Sequence, residues 1–167
     1  LVEVRVAGGL YTPDCNTAIP QGSGDRTLSF ELDRGVRIKG GYVGGGDADP
    51  NTRDSAAYPT ILSGVLSGGD RSYNVVTASG VGRETILDGF VITGGNPDSG
   101  MTPFDGGGGV RMDTGSPTIR NCRFVDNTGR NGAGAFCAGG SSPIFINCEF
   151  ADNTVTTDGA GLLSTES

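Results

Sequence analysis

The sequence contains no histidine and no tryptophan, and its only lysine is Lys39. Without histidine the chain lacks the commonest general base, the Ser-His-Asp triad and most zinc sites. Its 12 basic residues stand against 19 acidic ones, which gives a net charge of −7. Because phosphate binding depends on clustered cations, this balance argues against a nucleic-acid partner.

Long hydrophobic runs are also missing. No apolar stretch approaches the ~18 residues that cross a bilayer as a helix, so we expect no transmembrane segment. Leu1 falls inside a strand pattern and no initiator methionine precedes it. We therefore expect the chain to be part of a longer protein, whose signal peptide and anchor the sequence does not reveal.

Cysteine is scarce, with four residues at Cys15, Cys122, Cys137 and Cys148. In an oxidising compartment four cysteines allow three pairings, and the count alone selects none of them. A bridge between directly adjacent parallel strands would be strained, so we expect Cys122 and Cys148 to remain free thiols.

Glycine, by contrast, is abundant. The chain has 31 glycines among 167 residues, about 19% against an average near 7%. Each glycine inside a helix costs roughly 1 kcal/mol relative to alanine, and the glycines interrupt every stretch that could hold three helical turns. They follow no three-residue period, which excludes collagen. The composition therefore predicts an all-β chain with many tight turns.

Two segments near the C-terminus repeat each other at a constant offset of 26. They read SPTIRNCRFVDNT (116–128) and SPIFINCEFADNT (142–154), and Phe124 aligns with Phe150. Weaker copies lie at 84–96 and 59–70. Two apolar pairs of these copies have the same offset of 26, namely Ile61 with Leu87 and Leu66 with Ile92.

The spacing between the copy at 84–96 and the next is wider. Leu87 to Ile119 and Ile92 to Phe124 are both 32 residues, which indicates a six-residue insertion that we place in 96–105. A second set of aligned positions contains three glycine-rich runs, and we call it the glycine-run column. Each run leads to an apolar residue, namely Val110, Phe136 and Leu163, at spacings of 26 and 27. Asn74, Val75 and Val76 form a candidate earlier copy.

A period in the mid-twenties, with short strands and no helix, predicts a right-handed parallel β-helix of about six coils of ~26 residues. We treat 1–167 as one segment of this solenoid. Residues 1–58 form irregular early coils with loops inserted at 13–26 and 43–58, and residues 59–167 form regular coils. In the early part, Val2, Val4, Val6, Phe30 and Ile38 follow the alternation of half-buried strands.

The repeated polar and aromatic residues have structural interpretations. Phe124 and Phe150 align with the apolar residues of the other copies that we expect to point inward. We therefore predict that both side chains lie in the core. Asn121 and Asn147 mark a bend, since asparagine tolerates the left-handed conformation and stacked amides can bond from coil to coil. Corner amides are also expected further along, at Asn127 and Asn153.

One segment has oxygen ligands at the spacing of a calcium loop. Asp47, Asp49 and Asn51 alternate as they do where such a loop begins, which makes them candidate calcium ligands. The sixth and twelfth positions are Thr52 and Tyr58 instead of the glycine and glutamate of an EF-hand. The alternative is a polar turn in a glycine-rich loop. No other cofactor and no catalytic residue is predicted.

The repeats resemble a known family. FVDN (124–127), FADN (150–153) and the glycine runs are similar to the FxxN and GGA-[ILV] repeats of chlamydial polymorphic outer-membrane proteins and related bacterial right-handed β-helix surface proteins. The resemblance implies an extracellular or bacterial cell-surface location, a role in adhesion, and a protein or glycan partner.

The functional expectation is a non-catalytic, adhesin-like segment of a secreted or cell-surface β-helix protein that presents loops to a partner. Two alternatives remain, because β-helices host unrelated functions. One is a polysaccharide-binding or polysaccharide-lyase module. The other is a structural spacer that associates end to end through its open coils.

Overall fold

The computed structural model describes residues 2–100 and 105–165, and these residues form 17 strands and no helix. The predicted all-β class is therefore confirmed. Within the described residues there is likewise no helix with the length and apolarity needed to span a membrane. In chain order the strands are β1 (Val2–Ala7), β2 (Gly9–Tyr11), β3 (Phe30–Glu31), β4 (Val36–Tyr42), β5 (Thr60–Ser63), β6 (Val76–Ser79), β7 (Ile86–Asp88), β8 (Phe90–Thr93), β9 (Val110–Asp113), β10 (Thr118–Arg120), β11 (Arg123–Val125), β12 (Thr128–Asn131), β13 (Ala135–Ala138), β14 (Ile144–Ile146), β15 (Glu149–Ala151), β16 (Thr154–Asp158) and β17 (Leu162–Ser164).

The strands pair into three five-stranded sheets and one small sheet. Sheet A has the order β1-β4-β7-β10-β14, sheet B has β2-β5-β8-β11-β15, sheet C has β3-β6-β9-β13-β17, and β12 pairs with β16. All of these pairings are parallel. The chain thus passes through sheets A, B and C in turn and repeats this triplet, an arrangement compatible with a parallel β-helix.

The strand register matches the regular repeats near the C-terminus. Phe124 of β11 pairs with Phe150 of β15, at the predicted offset of 26. Phe124 also pairs with Ile92 at the predicted 32. Ile119 pairs with Leu87 at the same offset. The extra residues of this repeat lie between β8 and β9, and positions 101–104 of the predicted insertion lie outside the described residues.

The weaker alignment of 59–70 with 84–96 is wrong. Ile61 lies in sheet B, where it pairs with Val91 and Leu10, whereas Leu87 lies in sheet A beside Ile38. Both segments are short apolar strands of similar composition. Their likeness reflects the common need to bury an inward side chain, and it does not place them in the same sheet.

The predicted alignment within the glycine-run column is correct in part. Val76 pairs with Val110, as the earlier copy predicts. Val110, however, pairs with Ala135 and not with Phe136, so this register is off by one residue. Ala135 is buried, while Phe136 is half-buried with the Arg111 guanidinium 5.5 Å from its ring centroid. The alternation of the strand therefore puts the small residue inside.

The described residues form five triplets, not the predicted six or so coils. The early triplets are much longer than the C-terminal repeat, since Leu10 pairs with Ile61 and Phe30 pairs with Val76. Long segments between β2 and β3 and between β4 and β5 account for this length. The predicted number of repeats, which divides the chain length by the C-terminal period, is therefore too high.

The core lies between the three sheets. Phe124 is fully buried, and its ring stacks on that of Phe150 with centroids 4.7 Å apart and planes 8° apart. Leu62 and Ile92 continue this column in sheet B. Full burial of such a side chain contributes about 2–3 kcal/mol, so the inward columns stabilise the stack of triplets.

Candidate functional site

Asn127 and Asn153 follow strands β11 and β15 of sheet B, and their side chains form a chain of hydrogen bonds directed into the stack. Asn127 is fully buried, and its Nδ2 donates to Ile92 O at 3.0 Å and to Asn153 Oδ1 at 3.1 Å. Its Oδ1 accepts from Gly95 N at 3.1 Å. Asn153 Nδ2 donates in the same way to Phe124 O at 2.9 Å. These amides satisfy backbone groups inside the stack. Asn127 is closed to an external ligand, whereas Asn153 is half-buried.

Asn121 and Asn147 occupy the corner where the chain passes from sheet A to sheet B. Both have left-handed backbone conformations, with φ of 52° and 50°. Asn147 Nδ2 donates to Asn121 Oδ1 at 2.8 Å, and Asn121 Nδ2 donates to Asp88 Oδ1 at 2.9 Å. The side chains therefore link three successive triplets, and unlike Asn127 both are exposed.

Asp47, Asp49 and Asn51 lie on the exposed segment between β4 and β5. Asp47 Oδ1 accepts from Asp49 N at 3.2 Å, and Asp49 Oδ1 accepts from Asn51 N at 3.1 Å. Asn51 Oδ1 accepts from Arg5 Nη1 at 2.6 Å. Each side chain thus has a hydrogen bond of its own, as in successive Asx turns. No group of three His, Cys, Asp or Glu side chains in the described part of the chain could hold a metal ion.

Three long segments connect sheet B to sheet C in successive triplets. They follow β2, β5 and β8, and the described parts comprise residues 12–29, 64–75, 94–100 and 105–109. We call the surface that they form the loop corner. These segments start at the carboxyl ends of neighbouring parallel strands of sheet B, so they lie side by side. Two charged residues, one buried and one half-buried, connect them.

Asp14 is the first of these ties. It is 1% exposed, and its Oδ2 accepts from Gly24 N at 3.1 Å and from Ser67 N at 3.3 Å. Burial acts to raise the pKa of this carboxyl, but hydrogen bonds from Thr12, Gly24 and Ser67 outweigh it and lower the pKa below its usual value. The charged carboxylate therefore joins the segment after β2 to the segment after β5.

Arg26 is the second tie, and it reaches all three segments. Its Nε donates to Arg71 O at 2.6 Å, and its Nη2 donates to Asn96 O at 3.0 Å and to Asp98 Oδ1. The guanidinium lies 4.6 Å from the ring centroid of Tyr73. A planar group with five donors suits this role, because it can bond several carbonyls at once.

A groove of about 430 Å³ opens at the loop corner. Its charged lining consists of Arg71, Asp98, Asp105 and Arg130, and the hydroxyls of Thr128, Thr154 and Thr156 add further polar groups. A neighbouring groove of about 390 Å³ is lined in part by Arg71, Asp126 and Asp152. The two grooves combine charges of both signs and several hydroxyls with apolar surface, a mixture that suits a glycan or a protein loop.

The four cysteines are free thiols. Cys122 is buried, and loss of solvent raises the pKa of its thiol to about 12. Burial likewise raises the pKa of Cys137 to about 11. Since the thiolate is the nucleophile, these two residues act as small core side chains.

Neither Asp14 nor Arg26 stands out in the sequence. Both lie in a segment without period, and their partners are backbone groups far along the chain, at Ser67, Arg71 and Asn96. Nothing in the local sequence marks such contacts. Asp14 lies between Pro13 and Cys15 and Arg26 follows Asp25, so neither differs from an ordinary charged residue of a loop.

No family model, no curated protein and no solved structure matches the chain. The resemblance to the polymorphic outer-membrane repeats therefore stays a prediction that depends on the FVDN and FADN motifs.

Proposed function

We propose that this chain is a non-catalytic segment of a secreted or cell-surface right-handed parallel β-helix protein, and that the loop corner binds a protein or glycan partner. The observation that carries the proposal is the joining of three successive loops by Asp14 and Arg26. Loops held in one conformation lose little entropy on binding, so such a surface suits recognition.

The β-helix itself has two lines of support. Every main sheet is parallel with triplet order, and the motif residues Phe124, Phe150, Asn127 and Asn153 face other repeats. The repeated motif thus builds the scaffold, and the irregular segments bind the partner. That division is typical of repeat proteins, in which insertions map to a binding face.

The test is a binding screen of the chain against a panel of glycans and extracellular proteins. Asp70 is exposed at the tip of the second loop, and Asp70→Lys should abolish or strongly weaken the interaction that the screen detects. The matched control is Asp47→Lys, the same charge reversal at an exposed position on the segment after β4. Absence of binding to every member of the panel, or equal loss in both variants, would overturn the proposal.

One observation favours a second candidate, a polysaccharide lyase. Arg71, Asp126 and Asp152 line one groove, which combines a basic group with two carboxylates at the ends of neighbouring strands. A lyase would release products with a new carbon-carbon double bond, detected by their ultraviolet absorbance. Release that Arg71→Gln abolishes would establish this candidate in place of the non-catalytic one.

A further inference from the structure

A further polar groove lies at a different corner, where sheet A passes to sheet B. This corner groove has a volume of about 390 Å³ and is separate from the loop corner. Its walls come from two successive triplets and from the segment after β4. Its polar lining residues are Arg53, Ser55, Asn121, Arg123, Asn147 and Glu149.

A buried carboxylate forms the base of the corner. The side chain of Asp88 is 2% exposed, and it accepts from Arg53 Nη2 at 2.9 Å, from Arg120 Nε at 3.0 Å and from Asn121 Nδ2 at 2.9 Å. Arg53 also donates through Nε to Gly40 O at 2.8 Å. These bonds fix the Arg53 guanidinium at the groove, far in sequence from the repeat motifs.

The arginines keep donors that no described residue uses. Arg53 Nη1 has no hydrogen-bond partner in the described part of the chain. Among the same residues Arg123 has one ionic partner, Glu149, whose Oε2 lies 3.1 Å from Arg123 Nε. A guanidinium edge presents paired N–H groups at the spacing of the two oxygens of a carboxylate. The Nη1–Nη2 edge of Arg123 is therefore open to both oxygens of a planar anion, whereas Arg53, whose Nε and Nη2 are bonded, adds the single donor group Nη1.

The surrounding groups favour a hydroxylated ligand. Ser55 supplies a hydroxyl, and Asn147 supplies a side-chain amide whose position is fixed by its bond to Asn121. Corner and groove together contain Arg53, Arg120 and Arg123 against Asp88 and Glu149, an excess of one positive charge in a chain of net charge −7. Charge complementarity thus selects an anion here, although the chain as a whole is acidic.

We propose that the corner groove binds the carboxylate and hydroxyls of an acidic sugar, of the uronic-acid class, in a glycan. The carboxylate bonds the free guanidinium donors of Arg53 and Arg123, and the sugar hydroxyls contact Ser55 and Asn147. This site is independent of the proposed function of the loop corner, because the two surfaces share no lining residue.

The experiment is a calorimetric titration of the full chain with tetragalacturonate, and in parallel with a neutral glucose tetrasaccharide. Arg123→Gln should weaken tetragalacturonate binding about tenfold, the loss expected for a hydrogen bond between charged groups. Glu149→Gln should instead tighten binding roughly threefold, since it removes the competing carboxylate of an exposed pair. Arg83→Gln, at an exposed position between β6 and β7 outside both grooves, removes the same charge and should leave the affinity unchanged.

Opposite effects of Arg123→Gln and Glu149→Gln support the inference, because a change in folding alone would not produce both. Unchanged thermal unfolding of each variant serves as the folding control. The inference is overturned if the chain does not bind tetragalacturonate, binds the neutral sugar equally well, or loses as much affinity through Arg83→Gln as through Arg123→Gln. None of these results bears on the loop-corner proposal, which Asp70→Lys tests.

Discussion

Two asparagine residues of this chain, Asn127 and Asn147, have different roles. Asn127 lies inside the stack and bonds two backbone groups of the preceding triplet and the side chain of Asn153 in the next one. Asn147 lies at an exposed corner and bonds one neighbouring amide. A buried donor or acceptor without a partner costs much more than an exposed one. The two positions should therefore differ in their contribution to stability.

Asn127→Ala should lower the free energy of unfolding by about 3 kcal/mol, because it leaves Gly95 N without its side-chain acceptor and removes the buried bond to Ile92 O. Urea unfolding followed by circular dichroism measures this change. The matched control is Asn147→Gly, which keeps a residue tolerant of positive φ and removes one exposed bond, so it should cost less than ~1 kcal/mol. Equal losses in the two variants would contradict the assignment of Asn127 to the interior.

At the level of strands and loops, the Asp88 carboxylate connects sheet A to the segment after β4. Burial acts to raise the pKa of its carboxyl, but hydrogen bonds from Asn121 and Arg53 and the charges of Arg53 and Arg120 outweigh it and lower the pKa. A group with a lowered folded-state pKa stabilises the protein above its unfolded-state value, here 3.8. That stability is lost as the pH falls through the folded-state pKa.

Asp88→Asn should therefore reduce the free energy of unfolding by about 2 kcal/mol at neutral pH, the usual value for hydrogen bonds to a charged group. The difference from the unmodified chain should shrink as the pH falls below about 4. Denaturant unfolding at a series of pH values measures it. Glu149→Gln, at an exposed carboxylate, should stay within about 0.5 kcal/mol of the unmodified chain throughout. A pH-independent effect of Asp88→Asn would count against a charged, bonded carboxylate at the corner.

The loop corner depends in the same way on Asp14. Asp14→Ala removes the acceptor of Gly24 N and Ser67 N, so the segments at 12–29 and 64–75 should open more often. Limited trypsin digestion should then cleave after Arg26 and Arg71 about tenfold faster. Cleavage after Arg53, on the segment after β4, provides an internal control and should not change. Unaltered cleavage after Arg26 and Arg71 would show that Asp14 does not order these loops.

The sequence predicts those parts of the fold that repeat at a constant spacing. Phe124 and Phe150 share side-chain type, spacing and burial demand, so their pairing follows from the motif alone. The predicted place of Ile61 is wrong because a short apolar strand carries no information about which sheet it joins. The groove residues Arg53 and Asp88 meet across 35 positions through a non-repeating segment, which no periodic pattern encodes.

The whole molecule is a stack whose direction is set by parallel pairing in three sheets. Glu3, Arg37, Ile86, Thr118 and Ile144 follow one another across sheet A in register. Residues 141 positions apart in the chain are therefore only four strands apart in space. Such a scaffold places the loop corner and the corner groove at fixed distances from each other, since every triplet is hydrogen-bonded to the next.

The most direct test of the stack is a distance between Glu3 and Ile144, measured by pulsed electron paramagnetic resonance with spin labels on cysteines at these positions, in a chain whose native cysteines are replaced. Four strand steps of about 4.8 Å predict a backbone separation of roughly 19 Å. A narrow distribution near that value, after allowance for the label tethers, supports the stacked parallel triplets. A separation above about 30 Å, or a broad distribution, would contradict them.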